Sequence, residues 1–227
     1  MDEQLAIAQA LRYAEELREL YGAERLQRRR AEQSLARLED SYRATARALA
    51  AALDLRDDLT GGHAERVTRL AMRLAKRVAP QLCADPQLEY GFLLHDVGKI
   101  GVPDAILRKA GLLDERERRE IERHPEYGER IVSQIPHLDG LTREIVASHH
   151  ERWDGEGYPY GLSGTAIPLP ARIFAVADAF DAMTNDRPYR KAFTVPAALA
   201  ELERQAGKQF DPVVVDAFLM LELEAAA

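Results

Sequence analysis

The chain has 227 residues, of which 46 % are hydrophobic and 30 % charged, enough for one large domain or a domain with an extension. Its formal net charge of −7 argues against a protein that binds nucleic acid polymers, because no basic excess is available to displace counterions. The single cysteine excludes a disulfide framework and fits a reducing compartment. Because no membrane-length apolar run or signal-peptide pattern is found, we expect a cytoplasmic protein that binds no membrane, or a piece of a membrane sensor.

Residues 1–56 are predicted to form one long helix, since they lack proline and only Gly22 interrupts a run rich in Ala, Leu, Glu and Arg. Two rows of residues recur at seven-residue spacing: Leu35, Tyr42 and Leu49, and Leu38, Thr45 and Ala52. Such rows are typical of a coiled coil, although Thr45 places a hydroxyl in the seam. We interpret the helix as a homodimerising, coiled-coil-like extension. The alternatives are a helix packed on its own domain and a helical hairpin.

The remainder of the chain is predicted to be all-α. Residues 57–62 break the first helix, and apolar positions then recur at helical spacing in most of the segments that follow. Asp85-Pro86 and the capping-box pattern of Asp114 and Glu117 predict helix starts. Further helices are expected over residues 138–148, 171–183, 195–205 and 212–221. The predicted division is therefore a helix at 1–56, a domain at 57–222 and a tail at 223–227.

A histidine and an aspartate stand side by side at His95 and Asp96, directly after an apolar run. Neighbouring side chains on a helix point about 100° apart, so the pair can converge only on something lodged between helices. We expect Gly98 to end the helix in a left-handed turn. Lys99 is then left at the rim, where its ammonium group could meet a phosphate.

Five of the six histidines lie at predicted helix ends or loop mouths: His63, His95, His124, His149 and His150. Two carboxylates, Asp96 and Asp178, stand where apolar residues would be expected. Imidazoles and carboxylates without thiolates suit Fe, Mn, Zn or Co. Two metals that share a carboxylate suit the hydrolysis of a phosphoester. The sixth histidine, His137, follows a proline in a predicted turn and is expected at the surface.

From about residue 57 to residue 218 the chain resembles the HD-GYP domains, a subgroup of the HD phosphohydrolases. The matching segments are 60–63 with Arg66-Val67, His95 to Ile100, His124-Pro125, His149 to Glu151, 154–159, 172–178, 186–190 and 210–212. A lone His-Asp pair is weak evidence, whereas this ordered set over most of the chain is specific.

The resemblance implies an all-helical HD-domain bundle and a bacterial signalling enzyme. Members hydrolyse cyclic di-GMP to the linear dinucleotide pGpG, and some continue to GMP, at a centre that uses iron or manganese. Carried over position by position, the ligands of two divalent metals are His95, Asp96, His124, His149, His150 and Asp178. Asp96 is the implied bridging carboxylate, and with Lys99 it takes part in catalysis.

The resemblance also implies residues that contact substrate and partners. Lys99 corresponds to a phosphate-side lysine, and Arg187 and Arg190 correspond to basic residues that can fork onto phosphate oxygens. The Gly157-Tyr158-Pro159 loop is tied in the family to substrate contact and to partner proteins of the GGDEF type. Tyr158 itself has two interpretations, stacking on guanine or packing the loop in place.

One position departs from the pattern of members that bind a third metal. Their extra acidic ligand lies one turn before the residue that corresponds to His63, and this chain has Leu59 there. We therefore expect two metals, with His63 in an outer or substrate-side role. Two alternatives remain open, a non-catalytic receptor for a cyclic dinucleotide and an HD hydrolase for another phosphoester.

Overall fold

A computed structural model describes residues 2–56, 62–109, 111–186 and 191–226, and these residues are all-helical as predicted. Within them no strand occurs, and one isolated bridge joins Ala206 to Phe210. None of the helices in this part of the chain combines the length and apolar character needed to cross a bilayer. Contacts divide the chain into two compact units, Met1–Thr45 and Ala46–Ala227.

Ten α-helices follow one another in the described residues. They are α1 Asp2–Arg56, α2 His63–Val78, α3 Gln87–Leu93, α4 Asp104–Leu107, α5 Glu115–Ile121, α6 His124–Val132, α7 Leu141–Ser148, α8 Leu169–Thr184, α9 Val195–Gln205 and α10 Pro212–Ala226. Short 3₁₀ turns lie at Pro80–Ala84, Val97–Gly101, Pro136–Leu138 and Gly164–Ala166.

The first unit is a single helical rod, so the prediction of a long N-terminal helix is confirmed. Leu35 and Leu38, which belong to the heptad rows, are about half exposed. The Thr45 hydroxyl donates to the Ser41 carbonyl oxygen at 2.9 Å, which satisfies the polar group in the heptad seam. Dimerisation through this face stays a prediction.

The second unit is built around α8, whose sequence is apolar on nearly every side. Phe174 of α8 stacks on Phe92 of α3 with ring centroids 5.4 Å apart, and Phe180 packs edge-on against Phe218 of α10 at 5.0 Å. Such aromatic pairs add about 0.5–1.5 kcal/mol to the energy of area burial. They hold α3, α8 and α10 together, which fixes the ends of α3 and α8 near one another.

The last turns of α1 belong to this second unit. Ala46 and Ala50 are buried in a smaller core with Leu93 and Leu94. At the end of the helix, the Arg56 guanidinium donates to the carbonyl oxygens of residues 99 and 102, both at 2.7 Å. The sequence-based division at residues 56 and 57 remains a proposal, but residues 46–56 pack with the second unit.

Most predicted helix boundaries fall within a few residues of the observed ones, and the caps explain why. Asp114 and Glu117 form the predicted capping box at the start of α5. Asp211 accepts from the Val213 backbone N–H and caps α10. Pro86 occupies the N-cap of α3 rather than its first position. Helix α10 continues to Ala226 and includes most of the predicted tail.

Gly98 corrects one prediction, because it does not adopt a left-handed conformation. It lies inside the 3₁₀ turn Val97–Gly101, and the positive-φ glycines of the described residues lie elsewhere. Glycine is required there because a Cβ atom would lie 1.8 Å from the His124 carbonyl oxygen and 2.3 Å from the Gly128 nitrogen. The missing side chain lets this turn touch the backbone of α6.

Replacing Gly98 with alanine should destabilise the second unit by at least about 2 kcal/mol, since backbone atoms cannot step aside as a flexible side chain can. Urea denaturation followed by circular dichroism measures the effect. Gly111→Ala is the matched control, because nothing lies within 4 Å of its added Cβ. Equal denaturation midpoints for the two variants would contradict the close-approach argument.

Candidate metal centre

Helix ends deliver most of the predicted metal ligands to one place in the second unit. His95 and Asp96 follow α3, His124 begins α6, His149 and His150 follow α7, and Asp178 lies within α8. Their ligand atoms fall into two groups whose members lie within 4.8 Å of one another. The groups are Asp96, His124, His149 and His150, and His63, His95 and Asp178. The structure thus brings together all six residues that the resemblance nominated.

Asp96 stands between the two groups. Its Oδ1 lies 3.2 Å from His124 Nε2 and 3.8 Å from His149 Nε2. Its Oδ2 lies 3.1 Å from His95 Nε2, and so faces the second group. Each carboxylate oxygen is therefore directed at a different set of nitrogen donors. This is the arrangement that a carboxylate shared between two cations requires.

Three of the histidines are oriented by the same hydrogen bond. The Nδ1 atoms of His95, His124 and His149 bond to the carbonyl oxygens of Phe92, Ile121 and Val146, each three residues earlier, at 2.7–3.0 Å. A carbonyl oxygen only accepts, so Nδ1 carries the hydrogen and, in the neutral ring, Nε2 is left with a lone pair. Metal-binding histidines commonly use their second nitrogen in this way.

Within the described part of the chain, the inward-facing nitrogen lone pairs face one another or stay unpaired. His124 Nε2 and His149 Nε2 lie 3.1 Å apart, although both are acceptors once Nδ1 holds the hydrogen. Buried His95 Nε2 and Asp96 Oδ1 make no hydrogen bond of good geometry with any described residue. Such unsatisfied buried groups are costly, and a cation between them would remove the cost. The donors present therefore fit a metal site.

The electrostatics favour the ligand-competent protonation states of His149, His150 and Asp96. Burial, reinforced by neighbouring imidazoles, lowers the pKa of His149 to about 4 and that of His150 well below its ordinary value, so both rings are neutral at pH 7. Burial opposes ionisation of Asp96, but Lys99 and His95 hold its pKa well below the usual range. Neutral imidazoles and an ionised carboxylate are the forms that bind divalent cations.

His63 lies closer to the centre than an outer role requires. Its ring is buried at the start of α2, and Nε2 lies 3.4 Å from Asp178 Oδ1. Its Nδ1 lies 2.8 Å from Asp181 Oδ2, and the Arg66 guanidinium donates to both oxygens of the same carboxylate. Sequence reasoning missed Asp181. The available signal was its position one helical turn after Asp178, on the same face of α8.

Lys99, which the sequence analysis expected at the rim, lies beside Asp96 of the first group. Its Nζ lies 2.8 Å from Asp96 Oδ2 and the side chain is about one-fifth exposed, so the ammonium group reaches solvent next to the carboxylate. The other predicted cations, Arg187 and Arg190, lie outside the described residues, as does Leu59.

A cavity of about 520 Å³ opens beside His149, His150 and Asp178. Tyr158 forms part of its wall, and its ring lies over His150 with centroids 4.8 Å apart and planes 30° apart. Sequence reasoning gave no signal for several polar residues of the lining, because they come from segments outside the motifs. These residues are Glu122, Glu201, Gln205 and Gln209, whereas Glu151, Arg152 and Glu156, which also line the cavity, lie in or beside the motifs.

The fold and the centre define a class, a helical domain in which helix ends and one helix interior assemble a two-part His/Asp cluster able to bind metal. The sequence matches the HD domain family over residues 47–214. The chain therefore belongs to the HD domain family, and its motifs are those of the HD-GYP subgroup.

Curated relatives share about 40 % of the aligned residues. The cyclic di-GMP phosphodiesterase response regulator RpfG of Xanthomonas campestris is 43 % identical over 187 residues, covering 82 % of this chain and 50 % of the relative. A cyclic di-GMP phosphodiesterase of Thermotoga maritima is 43 % identical, with coverage of 75 % and 47 %. The 3′3′-cGAMP-specific phosphodiesterase 2 of Vibrio cholerae is 40 % identical, with coverage of 75 % and 33 %. The chain spans between a third and a half of these relatives.

Solved structures support the same fold. The cyclic GMP-AMP specific phosphodiesterase V-cGAP3 of V. cholerae has a TM-score of 0.57 at 21 % identity, over 78 % of this chain and 47 % of that one. An HDGYP protein of Bdellovibrio bacteriovorus, Bd1817, has a TM-score of 0.53 at 20 % identity, over 69 % and 50 %.

Proposed function

We propose that the chain is a metal-dependent phosphodiesterase that hydrolyses cyclic di-GMP to linear pGpG in bacterial signalling. The observation that carries the proposal is the pair of imidazole Nε2 atoms of His124 and His149, 3.1 Å apart and facing Asp96. A receptor that only binds the nucleotide has no need of such a costly arrangement. The names of the relatives add the substrate class, since they act on cyclic di-GMP or on 3′3′-cGAMP.

Two divalent ions, iron or manganese, are proposed as the cofactors. The first group would hold one ion and the second group the other, with Asp96 shared between them: Asp96, His124, His149 and His150, and His63, His95 and Asp178. When bound, such a pair supplies an activated water and neutralises charge on a phosphoryl oxygen. The sequence analysis gave His63 an outer or substrate-side role, and we now propose His63 as a metal ligand.

The residues of the chain would contribute positioning and charge. The Nδ1 hydrogens of His95, His124 and His149 are held by backbone carbonyls, so the rings are fixed before substrate arrives. Lys99 Nζ, which lies 2.8 Å from Asp96 Oδ2, would bind a non-bridging phosphate oxygen and so compensate the negative charge of phosphate beside Asp96. The net charge of the chain is −7, so this local cation matters for an anionic substrate.

The cavity beside the centre is a suitable place for one guanine nucleotide. Its volume is about 520 Å³, and carboxylates such as Glu201 and Glu156 line it. The N–H groups on the Watson–Crick edge of guanine can donate hydrogen bonds to such carboxylates. The Tyr158 ring packs on the His150 ring, which supports the interpretation that Tyr158 holds the loop in place. Tyr158 also forms part of the cavity wall. Arg187 and Arg190 stay proposed phosphate contacts.

Replacing Asp96 with asparagine should reduce turnover of cyclic di-GMP by more than about 100-fold and lower the metal content, because an amide bridges two cations poorly. The assay is anaerobic incubation with Fe(II) or Mn(II), with chromatographic identification of pGpG and GMP. Asp216→Asn, at an exposed position of α10, is the matched control.

The outcomes of this assay separate the candidate functions. Unchanged turnover in Asp96→Asn would refute the two-metal assignment. Tight binding of cyclic di-GMP without any product from the wild type would support a receptor instead. Faster hydrolysis of 3′3′-cGAMP, the substrate named for three Vibrio relatives, would reassign the substrate within the same reaction.

Metal analysis should give two ions per chain after reconstitution with Mn(II), since two ligand groups are present and a third ion would need a further anionic ligand. His63→Ala should lower the content to about one ion, because the second ion would keep only His95, Asp178 and the shared Asp96. His137→Ala, at an exposed turn, should keep two. Three occupied positions in anomalous scattering would contradict this prediction.

Homodimerisation is proposed through the exposed seam of α1, supported by the half-exposed Leu35 and Leu38. The double variant Leu35→Lys/Leu38→Lys should weaken association, because it places like charges in the seam. Light scattering at micromolar concentration measures the effect. Leu26→Lys is the control, since Leu26 is equally exposed but off the seam. A wild-type monomer under these conditions would refute the coiled coil.

The loop at residues 157–159 is also proposed to meet GGDEF-type proteins. The support is the family resemblance together with exposure of the adjacent Tyr160, whose side chain is about half accessible.

A further inference from the structure

Glu151 is a buried carboxylate that the metal centre does not use. It directly follows His150, and only 4 % of its surface is exposed. It belongs to neither group of possible ligands. Among the described residues no lysine, arginine or histidine forms an ion pair with it. A buried charge without a cation needs several hydrogen bonds, so the partners of this carboxylate indicate what it does.

Those partners are backbone N–H groups of one loop. Glu151 Oε1 accepts from the Tyr160 N–H at 2.7 Å, and Oε2 accepts from the Leu162 N–H at 2.9 Å. N–H groups of residues close in sequence that converge on one carboxylate form an anion-binding concavity made by the backbone. The two oxygens therefore tie the loop to the end of α7 at two points.

The segment just before these N–H groups lies on the metal-ligand histidines. A Cβ atom on Gly157 would come within 2.4 Å of the Arg152 nitrogen and 2.6 Å of Glu151 Cα, so the loop backbone packs directly against residues 151 and 152. The Tyr158 N–H donates to the His150 carbonyl oxygen at 3.3 Å, and its ring lies over the His150 ring. Tyr158 is thus fixed on both sides, by the backbone contact of Gly157 before it and by the hydrogen bonds from the Tyr160 and Leu162 N–H groups to Glu151 after it.

We propose that Glu151 is a positioning residue, whose carboxylate holds the 157–162 loop so that Tyr158 covers His150 and shapes the substrate cavity. Glu151 acts through the loop: it lies in the lining of the cavity, but both of its carboxylate oxygens accept from loop N–H groups. Carboxylate is required because both oxygens must accept. Glutamine would turn an N–H₂ group toward one of the N–H donors, and aspartate is one methylene too short to reach both. The effect on catalysis rests on the proposed phosphodiesterase function, whereas the effect on the loop does not.

The test compares Glu151→Gln and Glu151→Asp with Glu144→Gln, an exposed glutamate on α7. Hydrogen exchange measured by mass spectrometry should show at least about tenfold faster exchange over residues 157–162 in both Glu151 variants, and no change in the control. Metal content should equal that of the wild type. The turnover number for cyclic di-GMP should fall at least about tenfold, because a displaced cavity wall misplaces substrate.

Each outcome decides the proposal. Unchanged loop exchange in the variants would overturn it, and so would loss of metal, which would mean that Glu151 acts on the centre directly. If neither variant folds, exchange in the wild type decides, since the amides of Tyr160 and Leu162 must be protected although the loop lies at the surface. A wild type without turnover would refute the proposed phosphodiesterase function and leave the loop result standing.

Discussion

The second unit depends on one repeated hydrogen bond, from an imidazole Nδ1 at a helix end to the carbonyl oxygen three residues earlier. His95, His124 and His149 all make it. The bond satisfies a carbonyl that a helix terminus would otherwise leave unpaired, so it caps the helix. The same bond fixes the tautomer and directs the Nε2 lone pair into the interior. Local capping chemistry and ligand orientation are therefore the same interaction, used three times.

Close backbone packing brings these separate helix ends together into one centre. Gly98 lies against the backbone of His124 and Gly128, which places the turn after Asp96 directly on the start of α6. The Arg56 guanidinium then holds two carbonyl oxygens of the same stretch from the end of α1. The position of Lys99 is consequently determined by contacts from both sides, one of them made by the C-terminal end of the long helix.

The sequence predicted the parts of the centre that depend on local pattern and on motif spacing. Helix ends at His95 and His149 follow from the apolar periodicity before them, and the capping box at Asp114 was read directly. What it missed depends on packing between distant segments. The prediction of a left-handed turn at Gly98 was wrong. Glycine is also required where two backbones touch, and the sequence does not distinguish the two causes. The contact here is with α6, which begins 26 residues later. The contact between Asp181 and His63 is visible only in the folded chain, because the two residues are 118 positions apart in sequence.

The proposed function places two tasks in conflict at this site. The proposed ligands Asp96 and Asp178 bring negative charge close together, while an anionic phosphate must approach the same place. Lys99 lies 2.8 Å from Asp96 and offsets part of that charge at the entrance. The carboxylate that anchors the loop over His150 lies in the lining of the same cavity, but both of its oxygens accept from backbone N–H groups. These backbone dipoles lower the electrostatic cost of keeping a carboxylate buried beside the proposed substrate cavity.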